Sequence, residues 1–321
     1  MRVFITGASG FIGRALCERY LADGHEVVGC DLVADASRGV VRGDVSEPGA
    51  WQRHAAGCDL VIHTAAVVSF RLERPEEVWR ANVLGTANAI AAAERAGARR
   101  FVHFSSVTVF GFDFPDGVDE RYPVHNTYVP YPDTKIASEQ VVLAAHLDGR
   151  VPCTIVRPGD VYGPRSRVWA LIPAELIRTR RMMLPGGGRG IHSPVYIDDL
   201  IDGVVLAGDS PEAVGQVFTL SSGVGVPYRE FFAPYAELLG RRLITVPTPV
   251  ALALAAVIQR AACLTPGENE INPAAARYFL RKGTYANDKA RRVLGWEPRT
   301  SLQDGLARTV AWLREQGYGR S

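Results

Sequence analysis

Met1-Arg2-Val3-Phe4-Ile5-Thr6-Gly7-Ala8-Ser9-Gly10-Phe11-Ile12-Gly13 opens the chain. The first six residues read as a short buried strand, and Phe11, Leu16, Tyr20 and Leu21 mark the apolar side of a helix that follows. The glycines between them stand at GxxGxxG spacing. A side chain at these positions would block a tight turn, keep a pyrophosphate from bare backbone N–H groups, or hold the helix away from the strand. The helix then turns its positive dipole end toward an anion. Because Met1 leads straight into the strand, a cleavable signal peptide is not expected: its removal would take the glycine loop with it.

Outward from this stretch the pattern alternates. His25 to Asp31 reads as a strand, and Asp31 falls about 20 residues past the glycines, where an acid accepts adenosine ribose hydroxyls. A solvated strand-end residue is the alternative. No arginine follows Asp31 directly, which favours NAD over NADP. Val40 to Asp44 and Cys58 to His63 are further strands with a helical segment, Glu47 to Ala56, between them. Arg74 to Ala96 is an amphipathic helix ended by Gly97, Arg100 to Ser106 a strand, Tyr131 to Leu147 a helix, and Val151 to Arg157 a strand. Such alternation implies an α/β fold with a doubly wound parallel Rossmann sheet. After Gly163-Pro164 prolines punctuate shorter elements. The division expected is a dinucleotide-binding domain over 1–165, with a returning strand near 194–221, and a smaller α+β lobe over 166–321 that mainly binds substrate. Ala286 to Trp312 reads as two short helices joined at Gly295-Trp296-Glu297-Pro298.

Composition excludes several classes. In 321 residues, Lys+Arg 36 against Asp+Glu 34 leaves no basic tract for nucleic acid. Cys17, Cys30, Cys58, Cys153 and Cys263 are odd in number and irregularly spaced, which argues against a disulfide framework or a metal site and for a reduced, cytoplasmic compartment. The apolar run Val250 to Ile258 is far short of the ~20 residues of a spanning helix. It lies on a membrane, lines an apolar pocket through Val250, Leu252, Leu254 and Ile258, or is an ordinary core helix.

Tyr131 and Lys135 are four apart at a helix start, so both project from one face. A neighbouring ammonium favours the phenolate, drawing a pKa near 10 toward working pH, where the tyrosine acts as a general base. The preceding strand ends at Ser105-Ser106, on the side where parallel sheets place catalytic groups. Ser106 is in position to hydrogen-bond a substrate hydroxyl or carbonyl.

Seven motifs in register, the glycine loop from Thr6 to Gly13, Gly43-Asp44-Val45, His63-Thr64-Ala65-Ala66, Asn82 to Thr86, Ser105-Ser106 with Phe110-Gly111, Tyr131 to Lys135, and Arg157 to Pro164, resemble the extended short-chain dehydrogenase/reductase superfamily. The resemblance implies Tyr131 as catalytic acid/base, Lys135 on the nicotinamide ribose, and Ser106 polarising the reacting oxygen. It implies a cofactor held by Gly7, Ser9, Gly10, Phe11, Ile12, Gly13 and Asp31, with Asp44 and Val45 on the adenine. Thr64, Ala65, Ala66, Pro158 and Val161 would line it. Asn82 either supports the active-site backbone or packs the helix. A homodimer through the 74–96 and 131–147 helices is also implied.

Val107 and Thr108 replace the acidic pair usual in sugar-nucleotide dehydratases of this superfamily. Asp160 replaces the asparagine common in epimerases, and a carboxylate there would repel a pyrophosphate; capping a turn is its other reading. Phe110 stands where tyrosine is frequent. Arg157 to Pro164, Pro194 to Leu200, the apolar helix at 249–258 and Lys289 to Pro298 look most like the 3β-hydroxysteroid dehydrogenase and sterol dehydrogenase branch, with dihydroflavonol-reductase-like proteins as close neighbours. The expectation is an NAD-dependent dehydrogenase for a lipophilic secondary alcohol, with a nucleotide-sugar epimerase as the alternative and a non-catalytic nucleotide sensor as a third reading.

Overall fold

The computed structural model describes residues 1–262 and 270–319. Seven strands form the central sheet: β1 (Arg2–Thr6), β2 (Glu26–Asp31), β3 (Val40–Arg42), β4 (Leu60–His63), β5 (Arg100–Phe104), β6 (Cys153–Pro158) and β7 (Val217–Leu220). Their order is β7-β6-β5-β4-β1-β2-β3, and every pairing is parallel. Val3, Phe4 and Ile5 are wholly buried, as uninterrupted apolar strands are when helices cover both faces. Helix α1 (Phe11–Ala22) packs Leu16 and Tyr20 on one face. On the other face, α2 (Gly85–Ala96) and α3 (Pro130–Leu147) bury Ala89, Ile90 and Val142 against Phe4, Val61 and Phe101. The chain leaves β1 toward β2 and returns through β4 on its other side, which opens a crevice at the strands' carboxyl ends.

The helix read over 74–96 is three contiguous segments: Pro75–Trp79, a π turn at Arg80–Leu84, and α2. The helix expected over 47–56 is only a 3-10 turn, Ala50–Ala55, since Pro48 biases the residue before it to extended backbone. The C-terminal pair is present as Asp288–Leu294 and Leu302–Glu315, the first ended by Gly295 at φ +64. Short ribbons build the rest: Pro194–Tyr196 on Asp160–Tyr162, Val226–Pro227 on Ile191–His192, and Ile244–Val246 on Met183–Pro185.

The apolar run Val250 to Ile258 is not core. It lies in a surface helix (Thr248–Ala262) in which, over residues 248–261, only Ala255 is buried, while Val250, Leu254 and Val257 are exposed. Among the described residues no helix is long and apolar enough to cross a membrane. Cys17, Cys30, Cys58 and Cys153 are free and buried; Cys263 lies outside the described residues.

Candidate active site

The glycine loop is shaped by contact. Gly7 has φ +72, and a Cβ there would lie 2.7 Å from the Ala65 backbone nitrogen. A Cβ on Gly13 would lie 2.1 Å from the Gly7 carbonyl oxygen. Gly10 differs: only the Gly7 oxygen, at 3.1 Å, comes near, and Ser9 and Gly10 are exposed. Gly10 caps α1 without a side-chain hydrogen bond, so the N–H groups at Phe11 and Ile12 have no intrahelical acceptor. Bare backbone, free donors and a helix dipole converge on open space, which fits the pyrophosphate of a dinucleotide.

Asp31 ends β2 at the rim of this cradle. Its carboxylate accepts the Ser9 N–H at 2.9 Å and the Leu32 N–H at 2.7 Å, so it also steadies the loop. Asp44 is exposed and accepts the Ser46 N–H at 2.9 Å, while Val45 is buried behind it. Thr64 donates to the Thr6 carbonyl at 2.7 Å, and Ala65 and Ala66 are half-buried along the same crevice. Pro158 is the buried end of β6, and Val161 is half-buried on the adjoining ribbon.

Tyr131 sits at the second position of α3, after Pro130, and Lys135 is one turn on. Lys135 Nζ lies 5.9 Å from the Tyr131 ring centroid and donates to the Phe104 carbonyl at 2.8 Å. Burial pushes the Tyr131 phenol up to about 12, with the Ser106 hydroxyl acting in the other direction through a hydrogen bond. Burial pushes Lys135 down to about 8 against the opposing charge of Glu139. The expected lowering of the phenol pKa is therefore not found: burial is the larger influence on Tyr131, and the Ser106 hydrogen bond offsets it only in part.

The two adjacent serines separate cleanly. Ser106 accepts from the Thr108 N–H at 3.1 Å and the Thr108 hydroxyl at 3.0 Å on the Tyr131 side. Ser105 turns away and donates to Glu139 at 2.5 Å. Glu139 also takes a bidentate pair from Arg157, at 2.8 and 2.7 Å, fully inside the protein. Asn82, in the π turn, accepts the Val67 N–H at 2.8 Å and donates to the Val67 carbonyl at 3.1 Å and to Thr134 at 2.9 Å. It thus ties the loop after β4 to the helix carrying Tyr131.

Asp160 is buried among partners of its own. Burial would raise its pKa, but Arg281 and His192, with a hydrogen bond from Tyr278, hold the carboxyl well below the usual range. Arg281 reaches it at 2.8 Å and gives its other hydrogen bonds to Tyr228, Tyr285 and the Tyr278 carbonyl. The charge is thus compensated internally, and the expected repulsion has no free carboxylate behind it. Tyr278 and Asp160 are 118 residues apart, and no spacing signal joins them. In front of this pair stand aromatic rings: Phe70 is 6.4 Å from Tyr131 between centroids, 5.9 Å from Phe112 and 5.2 Å from Tyr278. Asn272 holds Phe70 by its carbonyl at 2.7 Å.

Residues 3–220 match the model of the NAD dependent epimerase/dehydratase family. A UDP-glucose 4-epimerase of Mycolicibacterium smegmatis is 31% identical over 98% of this chain and 99% of its own. A 4-hydroxy-2-methyl-3-oxo-4-farnesyl-3,4-dihydroquinoline-1-oxide ketoreductase of Stigmatella aurantiaca is 33% identical over 95% of each chain. A 3-beta-hydroxysteroid dehydrogenase of Mycolicibacterium neoaurum is 28% identical over 97% of this chain and 91% of its own. Among solved structures, MoeE5 in complex with UDP-glucuronic acid and NAD superposes with a TM-score of 0.80 at 27% identity, over 98% of this chain and 100% of that one. The chain belongs to the NAD dependent epimerase/dehydratase family.

Proposed function

We propose that the protein is an NAD-dependent oxidoreductase that interconverts a lipophilic secondary alcohol and its ketone. The observation that carries this reading is the wall beside Tyr131. Phe70, Phe112 and Tyr278 present rings there, and the buried charges Asp160 and Arg281 behind them are locked to each other. Such a wall gains by covering ring carbons, and the guanidinium behind it, Arg281, is already paired with Asp160. Similarity to the ketoreductase and the steroid dehydrogenase supports the same substrate class.

In this reading Tyr131, as phenolate, takes the hydroxyl proton while Ser106 donates to the reacting oxygen. Lys135 binds the nicotinamide ribose and favours the phenolate once the site is filled. Bound NAD supplies the hydride acceptor. In reduction the phenol returns its proton to the oxygen. Gly7, Ser9, Gly10, Phe11, Ile12 and Gly13 hold the pyrophosphate, Asp31 the adenosine ribose in preference to a 2′-phosphate, and Asp44 with Val45 the adenine. Asn82 positions α3. Residues 166–321 mainly form the substrate lobe, and exposed Trp79, Leu84 and Leu147 suit a homodimer through the helices that carry them. Free buried cysteines suit the cytoplasm.

A nucleotide-sugar epimerase is the second reading, favoured by the 31% identity to a UDP-glucose 4-epimerase. The test is NADH absorbance with NAD and a panel of 3β-hydroxysteroids and simpler lipophilic secondary alcohols, beside UDP-glucose. Net NADH from an alcohol supports the dehydrogenase; no net NADH together with formation of UDP-galactose supports the epimerase.

A further inference from the structure

The helix Thr248–Ala262, here α4, carries an apolar face that nothing among the described residues covers. Val250, Leu254 and Val257 follow one another at i, i+4 and i+7 and are 52%, 36% and 62% exposed. Beside α4 lies the parallel ribbon of Ile244–Val246 on Met183–Pro185, whose register pairs Ile244 with Met183, both also exposed. Arg241 and Arg242 shortly precede one strand of this ribbon, Arg180 and Arg181 shortly precede the other, and all four are exposed. Segments 176–190 and 238–262, which build this face, contain seven arginines and no aspartate or glutamate. Of these arginines Arg178 is paired, with Glu175.

An exposed apolar stripe calls for an occupant, and the charge decides which. In a two-fold dimer each residue meets its counterpart neighbourhood, so a second copy would set these arginines against arginines, and the acid beside them, Glu175, already holds Arg178. An anionic lipid surface accepts every one of them, and a helix with apolar residues on one side settles in the plane of its headgroups. We propose that this face docks on anionic bilayers, with Val250, Leu254 and Val257 entering the acyl boundary and the arginines on the headgroup phosphates. α4 packs on the helix Pro273–Tyr278, whose last residue is the Tyr278 of the aromatic wall, so docking sets that wall close to the lipid. The proposal goes beyond the oxidoreductase reading, and binding is scored without turnover.

The experiment is co-sedimentation of the full chain with vesicles of equal parts phosphatidylcholine and phosphatidylglycerol, and with vesicles of phosphatidylcholine alone, at low salt. The wild type should sediment with the mixed vesicles and far less with the neutral ones. Leu254→Glu with Val257→Glu, and separately Arg241→Glu with Arg242→Glu, should each weaken partitioning at least about tenfold. Matched Tm values for these surface variants separate lost docking from lost fold. Absence of partitioning onto the mixed vesicles, or partitioning equal in wild type and variants, overturns the proposal. So does a wild-type dimer in sedimentation velocity that Leu254→Glu with Val257→Glu dissociates while vesicles stay bare, which assigns the face to a second copy.

Discussion

Lys135 and Tyr131 share one face of α3, yet the lysine's hydrogen bond goes to the Phe104 carbonyl at 2.8 Å, and its Nζ stands 5.9 Å from the tyrosine ring centroid. Burial lowers the lysine pKa in the folded protein to about 8 from its ordinary 10.5. Between these values unfolding takes up a proton, so this group makes stability rise with pH across that window and carries its full burial cost below it. Lys135→Met should flatten the rise, by up to ~1.4 kcal/mol per pH unit. Urea midpoints for both proteins at intervals through the window measure it; parallel curves would contradict it.

Glu139 is the buried acid that holds Arg157 and opposes the lowering of Lys135. Glu139→Gln leaves a guanidinium uncompensated in the interior and should cost about 3–5 kcal/mol in urea unfolding. It should also lower the pH at which Lys135 loses its proton, moving the alkaline limb of the kcat profile to lower pH.

Asp160→Asn removes the carboxylate from buried Arg281 and should destabilise by a similar ~3–5 kcal/mol. Asp160→Asn with Arg281→Met removes both charges and should recover most of that loss, since the cost comes from the stranded partner. The wild-type carboxyl, held below its usual range, contributes stability that is present above the ordinary carboxylate range and lost as pH falls beneath it. Acid unfolding of the double variant should therefore be shallower than that of the wild type.

Two glycines of the same loop should fail differently. A Cβ on Gly13 would fall 2.1 Å from a carbonyl oxygen, so Gly13→Ala should lower Tm. A Cβ on Gly10 meets one atom at 3.1 Å and otherwise points into the open cradle, so Gly10→Ala should keep Tm closer to the wild-type value while weakening NAD binding by calorimetry. Equal thermal loss in both variants would contradict the assignment of the cradle.

The strand, glycine turn and helix at the chain's start were legible because their pattern is local, and a parallel sheet follows from repeating it. That Tyr131, Lys135 and Ser106 come together was legible through a four-residue spacing and a strand end. The partners of Asp160 were not, because Arg281 meets it only through the tertiary fold, 121 residues away. The π turn that aims Asn82 leaves no mark on the apolar periodicity around it. Hydropathy registers that Val250 to Ile258 is apolar without saying whether protein covers it, and here Val250, Leu254 and Val257 face out. Nor does spacing convey desolvation, which reverses the expected direction of the Tyr131 shift.

In the proposed reaction Tyr131 takes the alcohol proton as hydride leaves the carbinol carbon for NAD. Its most direct test follows deuterium from a carbinol-deuterated lipophilic secondary alcohol into the nicotinamide ring, by mass spectrometry of the recovered cofactor, for wild type and Tyr131→Phe. The wild type should yield deuterated NADH and ketone in equal amounts, and the variant should be slower by about 10²–10⁴. Unlabelled, unreduced NAD from every alcohol, alongside conversion of UDP-glucose to its 4-epimer, would contradict the claim.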